Sequence, residues 1–211
     1  MDNQIADGLI QYLMLVGLLT FHEFGHAWMA MKCGDDTAKM MGRVSLNPVV
    51  HIDPIGTVLL PLVMIFVPGA GNFLIGWAKP VPVNVNNLRQ KNRDDILVTM
   101  AGPAMNVILA FGLVGLAKIG VLVNSEAIVD VCIQAAALSL LLCFFNLIPI
   151  PPLDGSHVLR VATGMSWENF ARFAQFGFIA VIIVLQIPFV RDALHFATIG
   201  TLGVMAWIFH V

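Results

Sequence analysis

The chain has 211 residues, of which 58% are hydrophobic and 11% charged, with a formal net charge of −2. Soluble domains carry about 25% charged residues, so roughly half the ordinary polar coat is missing and lipid is the expected solvent for most of the surface. No basic run offers a nucleic-acid footprint, which excludes that partner, and Cys33, Cys132 and Cys143 form no CxxC pair and read as buried, inert thiols.

The first apolar segment, 9–31, is preceded by Asp2 and Asp7 and contains the sequence HEFGH, so it is expected to be a retained anchor rather than a cleaved signal. The second, 56–75, is interrupted: TVLLPLVMIFV (57–67) is followed by PGAG (68–71), a turn signal, and then NFLIGWA (72–78). It reads as a broken or re-entrant segment. Residues 76–95 begin with alternating apolar residues and two prolines, so 78–85 is expected to be a short extended piece of edge-strand type. Four further apolar segments lie near 96–117, 128–148, 173–190 and 193–211, each close to the roughly 20 residues that cross a bilayer. The expected fold is an all-α polytopic membrane protein with five to six transmembrane segments. It forms a single domain over 1–211, with a catalytic core at about 9–160 and additional helices over 161–211.

Lysine and arginine positions set the orientation. If 56–75 dips in and returns, Lys32, Lys39, Arg43, Lys79, Arg89, Lys91, Arg93, Arg160 and Arg172 share one side, and Lys118 and Arg191 lie opposite, a split of 9 to 2. If it spans fully, the split is 5 to 6. The positive-inside rule favours the first arrangement, with the nine in the cytoplasm.

On a helix, His22 and His26 project from one face, with Glu23 beside them. Ionisable residues inside membrane helices are costly and usually mark function, so this trio reads as a metal site rather than a packed histidine pair. Catalytic zinc typically takes three protein ligands and keeps one position open. Candidates for the third are His51, His157, His195, His210 and Asp154. His195 and His210 read as packed or interfacial, and His51 as a loop residue near the cytoplasmic rim. Asp154 is favoured. It closes FFNLIPIPPLDG, where Pro149, Pro151 and Pro152 must break a helix and leave an extended piece able to present a carboxylate. His22 lies 13 residues past Leu9, about 20 Å into a core of about 30 Å. Under the 9-to-2 arrangement Asp154 also ends toward the cytoplasmic side. In AGPAMN (101–106), Asn106 offers an amide either to a developing oxyanion or to a neighbouring helix as hydrogen-bonding glue.

Together HEFGH (22–26), AGPAMN (101–106) and NLIPIPPLDG (146–155) resemble the site-2 protease family of intramembrane zinc metallopeptidases, and GWAKPVPVN (76–84) resembles the connecting segment of its compact bacterial and archaeal branch. The resemblance covers most of 20–160. It implies one Zn²⁺ per chain held by His22, His26 and Asp154, with Glu23 as general base. It also implies a catalytic or substrate-contacting Asn106, and a supporting Asn146. The implied activity is hydrolysis of a peptide bond in a transmembrane protein or peptide substrate, within the lipid bilayer, by a multi-pass protein of the cell membrane whose active site faces the cytoplasmic side. A metal-ion transporter and a catalytically silent binding module are the alternatives. A transport path would need ligands along several helices, and the remaining segments are nearly free of them.

Overall fold

The computed structural model describes residues 2–66 and 76–211. Their contacts divide them into two compact units, Met1–Arg89 and Gln90–Val211.

The first unit is built on α1 (Asp2–Cys33), an unbroken helix of 32 residues. Leu15, Leu18, Leu19, His22, His26, Ala27 and Ala30 recur at three- and four-residue steps and are buried, while Leu13 and Trp28 are exposed. The helix stops at Gly34, whose φ of +106° suits only glycine, and the Asp35 N–H closes the end on the Ala30 carbonyl at 2.9 Å.

Asp35 itself is fully buried and gathers the loops that follow. Its carboxylate accepts from the Thr37 N–H (3.1 Å) and hydroxyl (2.5 Å), the Asn84 N–H (2.7 Å) and the Asn87 amide (2.9 Å). Burial alone would raise its pKa, but these donors outweigh it and hold the group below the ordinary 3.8. Because the native value is lowered, this contribution to stability is complete above the ordinary pKa and is withdrawn as the pH falls through the lowered one. Asp35→Asn is expected to destabilise the protein at neutral pH by on the order of 2–3 kcal/mol, the worth of a hydrogen-bonded charge. It should also flatten the acid limb of the stability curve, as read by thermal unfolding in detergent from neutral pH downward.

After the single turn α2 (Thr37–Met40) and a 3₁₀ turn at Pro48–His51, a π-helical turn at Pro54–Leu59 runs into α3 (Leu60–Phe66). Asp53 caps it by accepting from the N–H groups of Ile55 (3.0 Å) and Gly56 (2.7 Å). The expected turn at 68–71 lies outside the described residues. Residues 76–84 form neither helix nor strand, and a 3₁₀ turn follows at Val85–Asn87. Besides the Asn84 N–H on Asp35, this strap is held through Trp77 and Lys79. Trp77 donates to the Gly56 carbonyl (3.2 Å) and accepts from the Thr57 hydroxyl (2.7 Å), Lys79 donates to the His51 carbonyl (2.9 Å), and Arg43 donates to the Lys79 carbonyl (2.5 Å).

The second unit contains α4 (Lys91–Leu122), α5 (Glu126–Asn146), α6 (Gly155–Thr163), α7 (Trp167–Ala174), α8 (Gly177–Leu185) and α9 (Pro188–Phe209). Helices α4, α5 and α9 meet around Ala110, Val114, Ala136, Leu140 and Met205, where small residues let the backbones approach. Among the described residues, four helices are long and apolar enough to cross a membrane: α1 over Ile5–Cys33, α4, α5 and α9. Counting α7 and α8 as one bent span gives five. Phe196 and Trp207 on α9 are 79% and 75% exposed, as lipid-facing side chains would be.

The stretch 173–190 differs from the expected continuous crossing. Its apolar run is divided among three helices, with a 58° bend between α7 and α8. Local chemistry accounts for the second break, where Pro188, which lacks an N–H, opens α9; the first falls at Gln175 and Phe176, just before Gly177.

Candidate metal and catalytic centre

His22 and His26 sit one turn apart on the buried face of α1, 3% and 9% exposed. Their Nε2 atoms are 3.0 Å apart and their rings stand nearly perpendicular, at 84°. Two Zn–N bonds of about 2.0–2.1 Å at a tetrahedral angle would place the nitrogens about 3.3 Å apart. The pair is therefore set as two ligands of one small ion would be, and the donor set fits zinc.

Glu23 projects beside them, and its Oε2 accepts the Val81 N–H at 2.9 Å. The strap thus reaches the carboxylate through a backbone amide. Arg43 anchors the strap: it is 4% exposed, donates to the Lys79 carbonyl and lies 3.5 Å from His51 Nδ1. Burial lowers the Arg43 pKa, and the nearby Glu23 carboxylate partly opposes that shift. His51, a loop residue as expected, is buried, with Nε2 2.8 Å from the Ser45 carbonyl.

In the second unit, Asp154 directly precedes α6 in helical backbone geometry (φ −57°, ψ −40°), and its carboxylate makes no capping bond to its own helix. The run before it is closely packed. A Cβ on Gly155 would fall on the Leu147 carbonyl, and one on Gly177 would fall on the carbonyl of Pro151. Backbone therefore rests on backbone from both sides of the proline run. Asn146 donates to the Leu142 carbonyl at 2.8 Å, ending α5.

Asn106 is fully buried on α4, three residues past Pro103. Its carbonyl accepts from the Ser139 hydroxyl on α5 at 2.8 Å. Among the described residues, no hydrogen-bond partner reaches either atom of its side-chain amide. The glue between these helices is the backbone bond, and the amide is not spent on it.

Of the remaining histidines, His157 lies against Asp95, and His195 and His210 belong to α9 and its C-terminal cap. The sequence pattern carried no sign of the Val81–Glu23 bond, of Arg43 as an anchor or of Asp35 as a hub. Only the Gly34-Asp35 step hinted at the last, as a helix stop followed by a turn-forming acid.

The model of peptidase family M50 matches residues 10–123 and 111–187, a range that includes His22, Glu23, His26, Asn106 and Asp154. A Bacillus subtilis (strain 168) protein named "Putative zinc metalloprotease YwhC" is 36% identical over 196 residues, covering 85% of this chain and 82% of that protein. "Putative zinc metalloprotease Rip2" of Mycolicibacterium smegmatis is 33% identical over 177 residues, covering 81% of this chain and 64% of that protein. The Mycobacterium tuberculosis (H37Rv) protein of the same name is 28% identical over 193 residues, covering 90% and 69%. No solved structure is significantly similar. The facing histidines of α1 thus lie within a similarity that runs through most of the chain, and on that basis the protein belongs to peptidase family M50, the site-2 protease family.

Proposed function

We propose that the protein is a zinc-dependent endopeptidase of the membrane that hydrolyses peptide bonds in membrane-spanning substrates, in regulated intramembrane proteolysis. The observation that carries this reading is the pair of imidazoles with Nε2 atoms 3.0 Å apart, beside a carboxylate, on a helix long and apolar enough to cross a bilayer. The names of the relatives point to the same metal.

His22, His26 and Asp154 would hold one zinc ion per chain. Zinc at such a site polarises a carbonyl and acidifies a water molecule. Glu23 acts as general base. The Val81 N–H holds Oε2, so Oε1 takes the water proton and later returns it to the leaving amine. The Asn106 amide is a buried donor suited to the oxyanion that develops on the scissile carbonyl. The 9-to-2 lysine and arginine split supports a site facing the cytoplasm in a multi-pass protein of the cell membrane.

The test uses the purified chain in liposomes with a membrane-spanning reporter. Cleavage should stop when a chelator strips the metal and return with about one zinc per chain. Undiminished cleavage by metal-free protein would sink the proposal, and zinc flux without cleavage would favour a transporter.

A further inference from the structure

Asp95 takes no part in the chemistry above, yet its side chain is only 3% exposed, on the second turn of α4. Both of its oxygens are turned to α6. Oδ1 lies 3.1 Å from His157 Nδ1, and Oδ2 is 3.0 Å from Arg160 Nη2. His157 and Arg160 are three residues apart and share one face of α6. That helix begins at Gly155, immediately after Asp154, and the His157 N–H bonds to the Asp154 carbonyl at 3.0 Å.

The same two side chains are also covered by α7. Trp167 stacks over the Arg160 guanidinium at 4.0 Å. Trp167 and Phe170 meet the His157 ring edge-on, with centroids 5.9 and 5.1 Å away. A helix of nine residues that follows a proline run has little length over which to fix its own rotation. A small turn about its axis would swing the residue at its start, which is Asp154. The carboxylate of α4 and the aromatic face of α7 grip α6 within its first two turns.

We infer that Asp95 is a positioning residue: by clamping His157 and Arg160 it sets the rotation of α6 and so aims the Asp154 carboxylate at the metal. The inference rests on Asp154 being a zinc ligand. A merely structural ion pair would affect stability, because removing one partner leaves a buried charge alone. It would not alter the ligand geometry of the metal.

The experiment compares Asp95→Ala, Asp95→Asn, Asp95→Glu and Asp154→Ala in the full chain in detergent. Two readouts are used: zinc affinity by chelator competition, and the visible spectrum of the cobalt-substituted protein. Asp95→Ala should weaken zinc about 10–100-fold, as loss of a group that orients a ligand typically does, and should shift the cobalt bands. Asp95→Asn keeps the shape and one acceptor, so it preserves a folded variant for the same measurement and should show a smaller effect of the same sign. Asp95→Glu should recover part of the affinity. Wild-type zinc affinity and an unchanged cobalt spectrum in the folded Asp95 variants would overturn the inference, even if their thermal stability fell. If Asp154→Ala keeps wild-type zinc affinity, the ligand reading fails and the inference with it. If Asp154→Ala loses zinc while the Asp95 variants bind normally, only the positioning inference fails.

Discussion

Glu23→Gln should lower cleavage of a membrane-spanning reporter by about 10²–10⁴-fold, the usual worth of a general acid–base group, with zinc content unchanged. What the amide keeps and what it loses decide the outcome. Its carbonyl oxygen can still accept the Val81 N–H, which reaches Glu23 Oε2 at 2.9 Å, so the strap should remain seated. The two histidines remain untouched on the same face of α1. An amide cannot take a proton from water at neutral pH, so the chemical step is what fails. Zinc analysis alongside single-turnover cleavage separates the two. Loss of zinc in this variant would place Glu23 among the ligands, and retained cleavage would remove it from the mechanism.

Replacing a ligand should do the reverse, taking away the metal first and activity as a result. A structural zinc site gains about 10–16 kcal/mol from four ligands, so each carries about 2.5–4 kcal/mol, or about 70- to 900-fold in affinity. His22→Ala, His26→Ala and Asp154→Ala are each expected to weaken zinc by that order. The histidine variants should show the effect cleanly, since both rings are buried and already face one another. Unchanged metal content in any of the three would strike that residue from the set. A graded ranking emerges for one titration: wild type and Glu23→Gln alike, Asp95→Ala weaker, the ligand variants weakest.

Much of α1 is legible in the sequence. Apolar residues at helical spacing and two histidines four apart leave only one face for the site, and the burial of Leu15, Leu18, His22 and His26 follows that spacing. The proline-broken run before Asp154 was equally plain, because three prolines in four residues forbid a helix. The ties that organise the strap were not. Five of them use backbone groups of Trp77, Lys79 and Val81, and a backbone group leaves no mark in a sequence. Charge was silent in a different way. In NRDD (92–95) nothing marks the two acids apart, yet Asp94 accepts from the Gln90 N–H at 2.8 Å to begin α4, and Asp95 grips α6. The bend between α7 and α8 was hidden as well. Its hinge residues Gln175 and Phe176 carry no breaker, and only Gly177 marks the contact with the proline run.

That contact has a consequence for how the protein can vary. At positions 155 and 177 a hydrogen atom stands where any other residue would drive its Cβ into a backbone carbonyl, that of Leu147 or that of Pro151. In a saturation library scored by survival, those two columns should be as empty as the columns for His22, Glu23 and His26. Neither glycine donates, accepts or ligates through a side chain. A fitness map of this chain would therefore mark two silent positions as brightly as the reactive ones, and telling them apart would take a metal titration rather than a growth assay.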